Sequence, residues 1–227
     1  MFSKLLQLGL LASFVCAVFI PTYAKPSYKF LPRAAGNSAA SIILQIAPTS
    51  NSCDNPPYPG ECATNTEASQ PLIDSFERYG ITNTNEMAAV MGLIAFESGD
   101  FKANINHVPG KAGQGTRNMM YPQYVLEYAQ SFPELSSQIS KITAGSSSAS
   151  LSDDQLNAVR ALVLPDQYSF GSAAWFLTTQ CASIRPQLQT GTQAGFEAYM
   201  GCIGTTVTDA RLAYWTAGIA AFKPSSK

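Results

Sequence analysis

Glu97 is the residue best placed for chemistry. It lies seven positions after Val90 and three after Ile94 in an apolar helical pattern. At about 100° per residue its carboxyl falls on the apolar stripe. A carboxylate there is costly to ionise, and the negative end of the helix dipole adds to the cost, so its pKa is expected to rise. A carboxyl that stays neutral near neutral pH is what a general acid for glycoside cleavage requires. Asp100 follows three residues later. As a catalytic partner it would set inversion against retention by its distance from Glu97; its other role is to cap the turn after Gly99.

Around this pair lie groups suited to sugar hydroxyls. Gln114, Thr116 and Asn118 can hydrogen-bond, and the glycines at 110, 113 and 115 let backbone approach a ligand. Tyr121, Tyr124 and Tyr168 can stack on rings or fill a core. His107, the single histidine, is assigned no chemistry. No Gly-x-Ser-x-Gly elbow, phosphate loop or dinucleotide fingerprint occurs. No cofactor and no metal site are expected, because cysteine spacing does not fit zinc and the histidine is remote from it.

The elements that must hold these groups read as helices. Pro71 can open one through Leu72, Phe76 and Tyr79, ended by Gly80. Asn83 and Glu86 form a capping box for the helix that carries Met87, Val90, Met91, Ile94 and Glu97, stopped at Ser98-Gly99. Pro122 starts another, closed near Pro133. Ser152 and Gln155 box a further one. Residues 170–181 form an apolar, buried helix, and 192–203 and 208–222 give two more. The expected fold is mainly α: a single helical domain over 53–223, with at most a small hairpin within 101–121.

Residues 1–24 read as a signal peptide, with Lys4 before an apolar run that Pro21 breaks. Residues 25–52 show no period and suit a pro-segment or flexible arm. An extracellular, secreted protein without a membrane span follows. Removing Cys16 with the leader leaves Cys53, Cys62, Cys181 and Cys202, an even set for an oxidising compartment. Of three connectivities the local one, Cys53–Cys62 with Cys181–Cys202, is expected. Of the 227 residues 46% are hydrophobic and 13% charged, with net charge −1, which allows a core and argues against nucleic-acid binding.

The string Ala95-Phe96-Glu97-Ser98-Gly99, the Gly-rich stretch 110–121 and the buried Phe170–Leu177 segment together resemble the lysozyme-like superfamily. The nearer branches are soluble lytic transglycosylases and goose-type lysozymes, with plant-type chitinases beyond. The resemblance spans about 72–222, though the usual Gly-Leu-Met-Gln order is replaced by Gly115-Thr116-Arg117-Asn118-Met119-Met120. The chain is also similar to a family of secreted fungal proteins. What the resemblance implies is a monomeric glycosidase or lytic transglycosylase acting on a polysaccharide: peptidoglycan, chitin or chitosan. Glu97 would then serve alone as acid and base. The alternatives are a glycan-binding or effector-type protein without turnover, and a structural antigen in which Glu97 is a buried helix end.

Overall fold

The computed structural model describes residues 38–223. The expected leader and the arm as far as residue 37 lie outside them. Helices follow in the order α1 (Ala39–Ile46), α2 (Asn65–Arg78), α3 (Thr84–Ser98), α4 (Pro122–Gln130), α5 (Ser136–Thr143) and α6 (Asp153–Leu162). Then come α7 (Asp166–Ser169), α8 (Ser172–Thr179), α9 (Arg185–Leu188), α10 (Gln193–Cys202) and α11 (Asp209–Ala221). The mainly α expectation holds. Among the described residues no strand forms, and the hairpin expected within 101–121 reduces to isolated bridges, Ile105–Gly115 and Gly115–Met120.

Most of the longer helices begin where a side chain satisfies their first free amides. Ser38, Thr64, Asn83, Ser152, Thr192 and Thr208 each accept such a bond. The Ser152–Gln155 box forms in full. The Asn83 box forms by half: Asn83 caps, while Glu86 turns inward to Arg185. Pro71 does not open α2 but sits inside it, because Thr64 and Glu67 make a capping box further upstream.

Residues 38–52 are not a loose arm. Ile42, Ile43 and Ile46 of α1 are buried in the common core, and α1 packs on α2 and α11. The helix is too short for its apolar period to stand out in sequence, but docking supplies the stability that length does not. Both expected disulfides form, Cys53–Cys62 and Cys181–Cys202.

α3 is buried along Met87–Ala95 without a polar face, rather than on one stripe, because neighbours cover it from several sides. Its closest neighbour is α11, which runs antiparallel to it. Glycines permit that approach: a Cβ on Gly218 would stand 2.9 Å from the Ala88 carbonyl oxygen, and one on Gly92 3.2 Å from the Trp215 nitrogen. The crossing brings the end of α3, with Glu97, beside the start of α11, with Arg211.

Three tyrosines tie the core to alkaline pH. Burial lifts Tyr128 and Tyr199 well above the ordinary phenol range. Tyr214 is pushed up to about 12, by burial first and then by donating to Asp100. Each phenol is more readily ionised in the unfolded chain, so their contribution is complete below the ordinary value of 10.0 and is lost as pH rises through the folded values. The melting temperature should therefore fall steeply above about pH 10, in step with phenolate absorbance. Tyrosines that all ionise near pH 10 while the fold stays intact would contradict this.

Candidate functional site

The turn after Glu97 is strained. Gly99 caps α3 with φ 59°, and Asp100 and Phe101 continue with φ 56° and 67°. Ser98 braces the turn, donating to the Ile94 carbonyl and accepting from the Phe101 amide. In the facing segment Thr116 and Met119 also take positive φ, 63° and 50°. Each such residue with a side chain costs roughly 1–2 kcal/mol, and four of them flank Glu97 on two segments.

Glu97 is not an isolated carboxyl on an apolar stripe. Its side chain is 21% exposed, and Oε1 accepts from Arg211 Nη2 at 2.9 Å. The guanidinium lies 4.6 Å from the Phe96 ring centroid, which fixes its plane, and its buried Nε–H has no acceptor. A donor and an acceptor thus stand side by side in a depression of about 190 Å³. Leu93, Tyr124, Phe176 and Ile203 line it together with Gln114, Asn118–Tyr121 and Thr205. The Cys181–Cys202 bridge ties the Ile203 side to the end of α8. A second, more open depression of about 390 Å³ shares Glu97 and Met119 and reaches Tyr58 and His107.

The structure brings together Glu97, Gln114, Asn118 and Tyr121. Gln114 Nε2 is spent on the Met119 carbonyl at 2.8 Å, and Asn118 Oδ1 accepts from Thr116 and Ser172. Thr116 does not reach the ligand space. It is fully buried, and its hydroxyl positions Asn118. Tyr168 lies elsewhere, in a pocket with Arg78, Tyr128 and Phe132, because α7 folds back over α2.

Asp100 is also displaced from the expected role. The left-handed turn tucks it beneath the groove, where one oxygen accepts from the Thr49 amide and hydroxyl and the other from Tyr214 at 2.8 Å. It clasps α11 to the segment after α1 and lines neither depression that Glu97 lines. His107 bonds Glu61 at 2.7 Å and stacks on Tyr58, so its imidazole belongs to the rim of the second depression. Sequence reasoning missed Arg211, which stands 114 residues from Glu97 and leaves no local signal.

Among the described residues no three His, Cys, Asp or Glu side chains could hold a metal ion, and no helix is long and apolar enough to cross a membrane. The two disulfides suit an oxidising compartment.

No family model and no solved structure match the chain. A curated relative does. The bifunctional dioxygenase (DOX)-epoxy alcohol synthase (EAS) of Fusarium oxysporum (strain Fo5176) is 41% identical over 172 residues, which cover 75% of this chain and 13% of the relative. The chain therefore corresponds to a small part of that relative's length. The relative is an enzyme, but one named for oxygenation and for making epoxy alcohols. That finding overturns the expectation of a glycosidase cleaving amino-sugar polymers, and the hydrolase and cell-wall readings fall with it. The geometry agrees at one point: a general acid must carry a proton, and Glu97 instead faces a guanidinium.

Proposed function

We propose that this chain is an exported ligand-binding module whose groove takes an epoxy alcohol. The observation that carries the reading is the Glu97–Arg211 pair in a depression of mixed lining, where Leu93, Met120, Phe176 and Ile203 stand beside the polar Gln114, Asn118 and Thr205. An epoxide oxygen only accepts hydrogen bonds, while an alcohol also donates. Arg211 offers donors and Glu97 an acceptor within one short span, and Leu93, Met120, Phe176 and Ile203 suit the hydrocarbon on either side. The compound class comes from the relative's name.

Oxygenation itself is assigned to the remainder of that relative. Such chemistry draws on a metal or cofactor, and among the described residues no cluster of His, Cys, Asp or Glu is placed to hold a metal ion. The four cysteines of the described chain are closed in disulfides, and His107 is held between Glu61 and Tyr58. A binding module joined to an enzyme that makes its ligand gains from high effective concentration.

Titration calorimetry with a long-chain vicinal epoxy alcohol tests the reading. Saturable binding is expected, weakened about 10–100-fold by Arg211→Met, as loss of a hydrogen bond from a charged donor implies. Equal binding of the matching alcohol without an epoxide, or preferential binding of an amino-sugar oligomer, would overturn it.

A further inference from the structure

We propose that the ridge carrying Val108, Lys111 and Tyr121 is a docking surface for an anionic lipid bilayer. Among the described residues two large hydrophobic side chains are exposed, Val108 at 83% and Tyr121 at 48%. Single exposed apolar residues are ordinary on a protein surface; two on one ridge call for a reason. Local bonds place them there. Asn106 Oδ1 accepts from the Gly110 amide at 3.0 Å, closing a turn with Val108 in its middle. The bridges Ile105–Gly115 and Gly115–Met120 pin the base of that loop beside the residue before Tyr121. Lys111 then reaches back over the Tyr121 ring, its Nζ 4.4 Å from the centroid. Val108 is three residues from Lys111, a span of at most about 11 Å.

What the ridge fits follows from size and charge. A specific protein interface buries roughly 1,200–2,000 Å², and two side chains on a narrow loop fall far short of that. A bilayer needs no matching surface. An apolar tip enters the acyl boundary, while tyrosine and lysine side chains sit at the headgroups. From 101 to 126 the chain carries Lys102, Lys111 and Arg117 but no Asp or Glu, and of the three Lys111 is exposed. Lys111 makes no ion pair among the described residues. Glu61, which reaches the base of the loop, is occupied by His107 and by the amides of Asn104 and Ile105. An unopposed lysine beside an apolar tip is drawn to negative headgroups. The inference goes beyond the ligand reading and does not rest on it.

The test is flotation of the exported protein with vesicles of phosphatidylcholine, alone or mixed with phosphatidylglycerol, and it needs no groove ligand. Binding to the mixed vesicles is expected. Val108→Asp should weaken it about 10–100-fold, the scale set by withdrawing one buried valine and adding a charge. Its melting temperature should not change, because the side chain lies almost wholly in solvent. Lys111→Gln should weaken binding about fivefold, and on the mixed vesicles alone. Val108→Trp should add an emission that shifts to the blue when those vesicles are present. No flotation of the wild-type protein, or flotation that Val108→Asp leaves unchanged, overturns the proposal. So does a wild-type dimer that Val108→Asp dissociates, since a second copy would then cover the tip. Calorimetry with the epoxy alcohol in the absence of vesicles reports on the groove separately.

Discussion

Arg117→Met should lower the folding free energy by about 3–5 kcal/mol, because it strips a buried cation from several partners at once. Arg117 is 1% exposed. Its Nη1 donates to the carbonyls of Phe101 at 3.0 Å and Ala103 at 3.2 Å, and Nη2 to Asp166 at 3.0 Å. Burial pulls the guanidinium below its ordinary range, opposed by the bond to Asp166. Methionine fills much of the space but donates nothing, and each carbonyl left without a donor costs about 1–3 kcal/mol. Asp166→Asn keeps an acceptor for Nη2 but takes the paired carboxylate from a buried cation, so it should cost about 1–3 kcal/mol, less than Arg117→Met. Urea unfolding of both variants separates the two cases. A loss below about 1 kcal/mol for Arg117→Met would show that those carbonyls find other donors. Because Arg117 pins the segment carrying Asn118 and Met119, ligand binding in the groove should fall with it.

Arg117 also shows where reading from sequence stops. It sits inside the Gly-rich stretch that suggested a ligand-binding turn, yet it is the strut of that turn rather than part of its surface. Local signals served well where a local rule decides the outcome. Pro122 opens α4, Gly99 ends α3, and Ser152 with Gln155 starts α6, since each depends on chemistry within one helical turn. Glu97 stood out in sequence as a carboxyl on an apolar stripe at a helix end, but its surroundings did not show there. Arg211 reaches it only because Gly92 and Gly218 let two helices touch. Tyr168 and Thr116 read as candidate ligand contacts, and tertiary packing took one to another pocket and buried the other. A short Glu-Ser-Gly string carries the shape of a helix end and not the chemistry around it. That is why a resemblance built on it failed at the level of reaction while the helical class held.

Glu86 and Arg185 supply the second large effect, and the order of losses between them is the decisive observation. The Glu86 side chain is 1% exposed, whereas Arg185 is 25% exposed at the start of α9. The two bonds, Nε to Oε1 at 2.6 Å and Nη2 to Oε2 at 3.1 Å, join α3 to a segment 99 residues away. The Glu86 carboxylate favours the charged guanidinium and lifts Arg185 above its ordinary range. Arg185→Met leaves a carboxylate in the core with no cation, and breaking a buried pair in this way costs about 3–5 kcal/mol. Glu86→Leu leaves a cation that can swing toward water, so its cost should be smaller by about 1–2 kcal/mol. The double variant Glu86→Leu with Arg185→Met removes both charges and should recover most of the loss, since a buried pair is often matched by apolar residues of similar volume. Equal losses in the single variants, with simple addition in the double, would mean that the pair is solvated and contributes little. A large loss for Arg185→Met that the second substitution rescues is the expected result. It would identify this contact as the one that holds α9, and the chain leading on to the groove wall at Ile203, in register with α3.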